Sequence, residues 1–147
     1  MAEEASEIRY YVDASMISIG RALALIRRDV THPGHASRFF TCPIKAERTN
    51  DHEWLPVVGE AGWVVILRDK RIRSRALERR ALRDAGVLGI CLTGSGNSSN
   101  WAMLNLIVRQ WPAIESIAST AKRPGLFSLT TQGLRELCVE DKKQSSH

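Results

Sequence analysis

The sequence predicts an α/β fold: a three-layer α/β/α sandwich around a mainly parallel sheet. Three observations predict it. Two continuous apolar runs, Trp63-Val64-Val65-Ile66-Leu67 and Val87 to Leu92, lack the alternation of half-exposed strands and read as strands covered on both faces. Apolar stripes at helical spacing separate the strand-like runs, so strand and helix alternate along the chain. Glycines stand where two of those helices should stop, Gly62 and Gly86.

Taken in order, Ile8 to Val12 (IRYYV) is a short β-branched and aromatic run that ends at Asp13. Ile19, Ala22, Leu23 and Ile26 then mark an amphipathic helix. Asp29-Val30-Thr31 begins a second short strand, broken by His32-Pro33-Gly34-His35, and the stretch to Asn50 has no clear pattern. After Asp51, the stripe Trp54, Leu55, Val58 and Ala61 marks another helix, although Pro56 removes a hydrogen bond early in it. Ser74 is a suitable cap for a helix running to Ala85. Thr93-Gly94-Ser95-Gly96-Asn97 reads as a loop, and Trp101, Leu104, Val108 and Trp111 as a helix that Pro112 kinks before it continues towards Ala121. Leu126 to Leu129 is the last expected strand, and the tail from Glu140 is charged. The expected organisation is a flexible segment over 1–7, a single domain over 8–139 and a disordered tail over 140–147.

A chain of 147 residues with 44% apolar content can bury a core as one globular domain. No apolar run approaches the ~20 residues that span a membrane. The polar, acidic opening MAEEASEIRYY has no secretory pattern. Cys42, Cys91 and Cys138 form no CxxC pair, which points to free thiols in a reducing compartment and a cytoplasmic protein. His32, His35 and Cys42 lack both a fourth ligand and a distinctive zinc spacing. The net charge of +5 favours polyanionic partners. Much of it is concentrated between Arg68 and Arg83, in DKRIRSRALERRALRD and its flanking arginine, part of which reads as a solvated helix face.

Ligands of open parallel sheets bind beyond the carboxyl ends of the strands. Asp13 and Asp69 fall at or just past two such ends, and Asp51 opens the helix that feeds the second strand. An aspartate after a strand is commonly only a turn residue or cap. Three at one edge, however, would make a hard-oxygen site suited to Mg²⁺ or Mn²⁺. Lys70, Arg71 and Arg73 follow the last acid directly and Arg68 precedes it, so these cations would ring the site and hold phosphates. The four tryptophans are too sparse and too helix-patterned for a base-stacking platform. The Trp101–Trp111 stripe carries enough apolar surface to predict a homodimer contact.

The segment DHEWLPVVGEAGWVVILRDKRIR resembles the second half of a PIN domain, and YYVDAS resembles its opening. The resemblance covers roughly residues 8 to 130 and is nearest to the compact branch grouped with VapC-type toxins. It implies a metal-dependent ribonuclease that leaves 5′-phosphates, with RNA as substrate and a cognate antitoxin as partner. It further implies that Asp13, Asp51 and Asp69 are the metal-binding acids and that Ser15 is a supporting hydroxyl. Two positions depart from the family pattern. A further acid between the first two is missing, with Asp29 and Glu47 as weak stand-ins, and Leu67 replaces a frequent threonine. These departures leave open a non-catalytic RNA-binding or scaffolding PIN-like module. A phosphotransfer domain fits less well, because Ser15 occupies the position of a dehalogenase-type second aspartate and Asp13 lacks the paired acid of a receiver domain.

Overall fold

The computed structural model describes residues 7–45, 51–68, 76–93 and 99–137, with backbone alone at 51, 52 and 76–78. Six strands form one sheet: β1 (Tyr10–Val12), β2 (Val30–Thr31), β3 (Val64–Leu67), β4 (Leu88–Leu92), β5 (Gly125–Thr130) and β6 (Gly133–Leu137). Their spatial order is β2-β1-β3-β4-β5-β6. Every pairing is parallel except β5 with β6, which is antiparallel. Among the described residues five helices connect them: α1 (Ile17–Ile26), α2 (Asp51–Ala61), α3 (Ala76–Asp84), α4 (Asn100–Arg109) and α5 (Trp111–Thr120).

The predicted α/β sandwich is present, and alternation along the strands builds its two cores. Tyr10, Val12, Val64, Ile66, Leu88 and Ile90 face one layer, packed on Ile19 and Leu23 of α1, Met103 and Ile107 of α4 and Ile114 of α5. Tyr11, Val65, Leu67 and Cys91 face the other, packed on Trp54, Leu55 and Val58 of α2 and Leu82 of α3. The central strands are therefore apolar at every position, as strands buried on both faces must be. Trp63 itself lies just outside β3, yet it is buried and stacks on Tyr11 at 6.2 Å.

Both expected glycine stops hold. Gly62 and Gly86 have φ of +77° and +71°, the left-handed conformation that closes a helix. Trp63 N–H donates to Val58 O and Val87 N–H to Leu82 O, each spanning the helix end. Pro56 sits inside α2 with its ring exposed, so the helix tolerates the lost bond through its packed opposite face. Residue 74, the expected cap of α3, lies outside the described residues.

Two readings are corrected. Pro112 does not kink one helix: the chain breaks at Gln110, which accepts from Ile114 N–H, and Pro112 stands in the first turn of α5. A missing N–H costs nothing in a first turn, because those donors have no partner there anyway. The sheet also does not end at β5. Thr131 and Gln132 turn the chain into β6, with Gly133 at φ +119° and Thr130 Oγ1 accepting from Gln132 N–H. No described helix is long and apolar enough to cross a membrane.

Candidate metal centre

β1 and β3 are neighbours and run parallel, with Val12 opposite Ile66. Asp13 N–H donates to Ile66 O at 3.0 Å, which extends the ladder one residue past β1. Asp13 is thus held by main-chain bonding at the carboxyl edge of the sheet, half-buried, where the ends of β1 and β3 open together.

The next three residues, Ala14–Met16, form a single 3-10 turn capped by Asp13. Asp13 Oδ2 accepts from Ser15 N–H at 3.1 Å and from Ser15 Oγ–H at 2.7 Å. The local-cap reading of this aspartate is correct for that oxygen. Among the described residues Oδ1 accepts no hydrogen bond, so one carboxylate oxygen stays available at the edge. Ser15 Oγ in turn accepts from Arg68 N–H at 3.2 Å. One hydroxyl therefore ties the turn after β1 to the chain leaving β3 and fixes the direction of the Asp13 carboxylate.

Arg68 is half-buried, and its guanidinium has no acidic partner among the described residues. Asp69, Lys70, Arg71 and Arg73 follow it and lie outside the described residues. The backbone of Asp51 opens α2. That helix ends where β3 begins, at the amino edge, so its first turn lies towards the carboxyl edge. The Asp51 side chain is outside the description. Among the described residues no three His, Cys, Asp or Glu side chains come together as a metal cluster. The Asp13 carboxylate, with a free hard oxygen and an orienting hydroxyl behind it, fits a divalent ion of the Mg²⁺ type.

The weak stand-ins for the further acid fare differently. Glu47 lies outside the described residues. Asp29 precedes β2 at the amino edge of the sheet, opposite Asp13, and its carboxylate grips Arg27 in a two-pronged pair at 2.8 Å. It is a structural ion pair and not the missing acid. Leu67 is fully buried in the second core, so the frequent threonine is replaced by packing. His35 binds Thr31 Oγ1 through Nδ1 at 2.8 Å, while His32 turns its Nδ1 to Pro33 O, an arrangement of hydrogen bonds and not of zinc ligands. Cys42 and Cys91 are both buried, and burial pushes the Cys42 thiol pKa up.

The structure adds one polar pair at the same edge that the sequence reading did not single out. Thr93, directly after β4, meets Ser128 of β5 hydroxyl to hydroxyl at 2.7 Å, and both are buried. A threonine closing an apolar run is the signal that was available for it. The loop that follows, 94–98, lies outside the described residues.

A family model described as a PIN-like domain matches residues 8–94. A protein of Mycobacterium tuberculosis (strain ATCC 25618 / H37Rv) named "Putative ribonuclease VapC45" is 29% identical over 86 residues. That match covers 58% of this chain and 59% of the relative, so the chain spans a little over half the length of the curated protein it resembles. No solved structure matches the chain at the same stringency. The matched span begins before β1, contains Asp13, α2 and β3, and runs past the end of β4, so it takes in the whole edge on which the candidate site is built: the chain belongs to the PIN-like domain family.

Proposed function

We propose that this chain is a Mg²⁺- or Mn²⁺-dependent endoribonuclease, the toxin of a toxin–antitoxin pair, acting on RNA in the cytoplasm and restrained by a cognate antitoxin. Asp13, Asp51 and Asp69 hold the ion, and Ser15 positions Asp13. The observation that carries the reading is the tether from Asp13 through Ser15 Oγ to Arg68 N–H. It joins the first acid to Arg68, the residue directly before Asp69 in the sequence. The relative's name supports RNA as the substrate.

Asp13, Asp51 and Asp69 would hold the divalent ion, which would supply Lewis-acid activation of water and charge neutralisation at the phosphodiester. The chain's own residues do the rest. Asp13 presents one free oxygen, kept in place by the Ser15 hydroxyl. Arg68, Lys70, Arg71 and Arg73 hold the phosphates on either side of the scissile bond and carry no base information.

Asp69→Asn should abolish Mg²⁺-dependent cleavage of single-stranded RNA while folding and RNA binding persist. Replacing Lys70, Arg71 and Arg73 by alanine should do the reverse. Binding weakens evenly across sequences, the slope of log K against log salt flattens by roughly 0.7 per lost phosphate contact, and cleavage at saturating RNA falls much less. Full cleavage by Asp69→Asn removes the nuclease reading at its centre. RNA binding without cleavage by the wild type replaces it with the non-catalytic module.

A further inference from the structure

A groove of about 700 Å³ runs between the C-terminal half of α1 and the segment from His32 to Phe40. Its far wall is built and not loose. Ala36 pairs with Thr41, Cys42 N–H donates to His35 O, and Ser37 Oγ accepts from the N–H groups of Phe39 and Phe40. The Arg28 guanidinium reaches across and lies 4.1 Å from the centre of the Phe39 ring, with Arg38 at 5.7 Å from the same ring.

Two properties of this groove are unusual for a surface with no work to do. Leu25 and Ile26 are 86% and 79% exposed and Phe39 40%, a cluster of large apolar side chains in water on its rim. Among the described residues four arginines line it and no acid does. Arg27 is neutralised by Asp29 and Glu115. Arg28 and Arg38 have no acidic partner among the described residues and meet only the Phe39 ring.

We propose that the groove between α1 and residues 32–40 binds a segment of a partner polypeptide that carries large apolar side chains flanked by aspartate or glutamate. Charge complementarity selects this occupant. A second copy of a chain with net charge +5 would bring like charge to a basic groove. RNA would use the arginines but has nothing to gain from Leu25 and Ile26, which neither stack nor hydrogen-bond, and Arg28 already covers a face of Phe39. An acidic segment with apolar anchors uses both halves: the anchors cover the exposed aliphatics, and its carboxylates pair with Arg28 and Arg38. The inference stands apart from the nuclease reading, since no residue of the groove belongs to the metal centre.

The test is selection of displayed 16-residue random peptides on the full chain, with depletion on an Arg28→Glu/Arg38→Glu variant. Enriched peptides should be net acidic with at least two large apolar residues. In fluorescence anisotropy they should bind Leu25→Ser/Ile26→Ser and Arg28→Glu at least tenfold more weakly than wild type. A uridine dodecamer should keep its affinity for Leu25→Ser/Ile26→Ser within threefold, and so should any RNA cleavage. Because Leu25 and Ile26 are already in water, these variants should melt with the wild type. Absence of enrichment, or enriched peptides without acidic bias, overturns the proposal. A tenfold loss of dodecamer binding on Leu25→Ser/Ile26→Ser assigns the groove to nucleic acid instead.

Discussion

At the scale of single residues, one hydroxyl carries more of the candidate site than its exposure suggests. Ser15 Oγ donates to Asp13 and accepts from Arg68 N–H, so Ser15→Ala leaves the carboxylate only its main-chain partner and unties the two strand ends. Losing a partner that orients a ligating carboxylate typically weakens metal affinity about 10-fold to 100-fold. Calorimetric titration of Mn²⁺ should show that loss with the melting temperature nearly unchanged, because the pair is exposed. His35 makes a different prediction. Burial, helped by the neighbouring His32, lowers its pKa below the ordinary 6.5. The unfolded chain then binds the proton more readily than the folded one, so the contribution of His35 to stability is present above pH 6.5 and is lost as pH falls below it. Melting temperature followed between about pH 7.5 and pH 5 should drop on the acid side. His35→Gln should flatten that drop while lowering the plateau, since the Thr31 hydroxyl loses its bond to His35 Nδ1.

Among the elements, the seating of α2 matters most, because Asp51, the proposed ligand, opens that helix. Its closest neighbour on the outer layer is the end of α3. A Cβ at Gly59 would run into the Ala85 carbonyl oxygen, a main-chain atom that cannot turn aside. Gly59→Ala should therefore force α2 and α3 apart, costing about 3 kcal/mol, the upper end for overpacking a tight contact. The helix propensity gained by alanine, about 1 kcal/mol, is too small to offset it. Urea unfolding should show a lower midpoint with an unchanged slope. A midpoint equal to wild type would mean that the helices can shift at no cost.

For the whole molecule, the helical stripe from Trp101 to Trp111 divides in two. Trp111 is buried against Tyr10, with ring centres 4.8 Å apart, and belongs to the core. Trp101 and Val108 remain 75% and 53% exposed on the outer face of α4. That exposed half is the part available for the expected homodimer. Light scattering at high micromolar concentration should return twice the 16.4 kDa chain mass. Trp101→Ser/Val108→Ser should return the single mass without loss of melting temperature. A monomeric wild type would remove the dimer.

The sequence by itself determined the α/β class, the positions of β1, β3 and β4, the helix ends at Gly62 and Gly86, and the places of Asp13 after β1 and Asp51 at the start of α2. Those features are local: a continuous apolar run, a helical stripe and a left-handed glycine are readable from neighbours in the chain. Tertiary structure decided the rest. β6 was not legible because GLREL exposes Arg135 and Glu136, and the Thr131-Gln132 turn lacks a strong hairpin dipeptide, so only pairing with β5 identifies it. Asp29 and Asp13 look alike in sequence, each beside a short strand. Because β1 and β2 pair in parallel, Asp13 after its strand and Asp29 before its own fall at opposite edges, one at the candidate site and the other in an ion pair with Arg27. The Ser15–Arg68 tether joins residues 53 apart in sequence, and only the adjacency of β1 and β3 brings them together. Pairing of distant strands depends on the packing of both sheet faces at once, which no local pattern encodes.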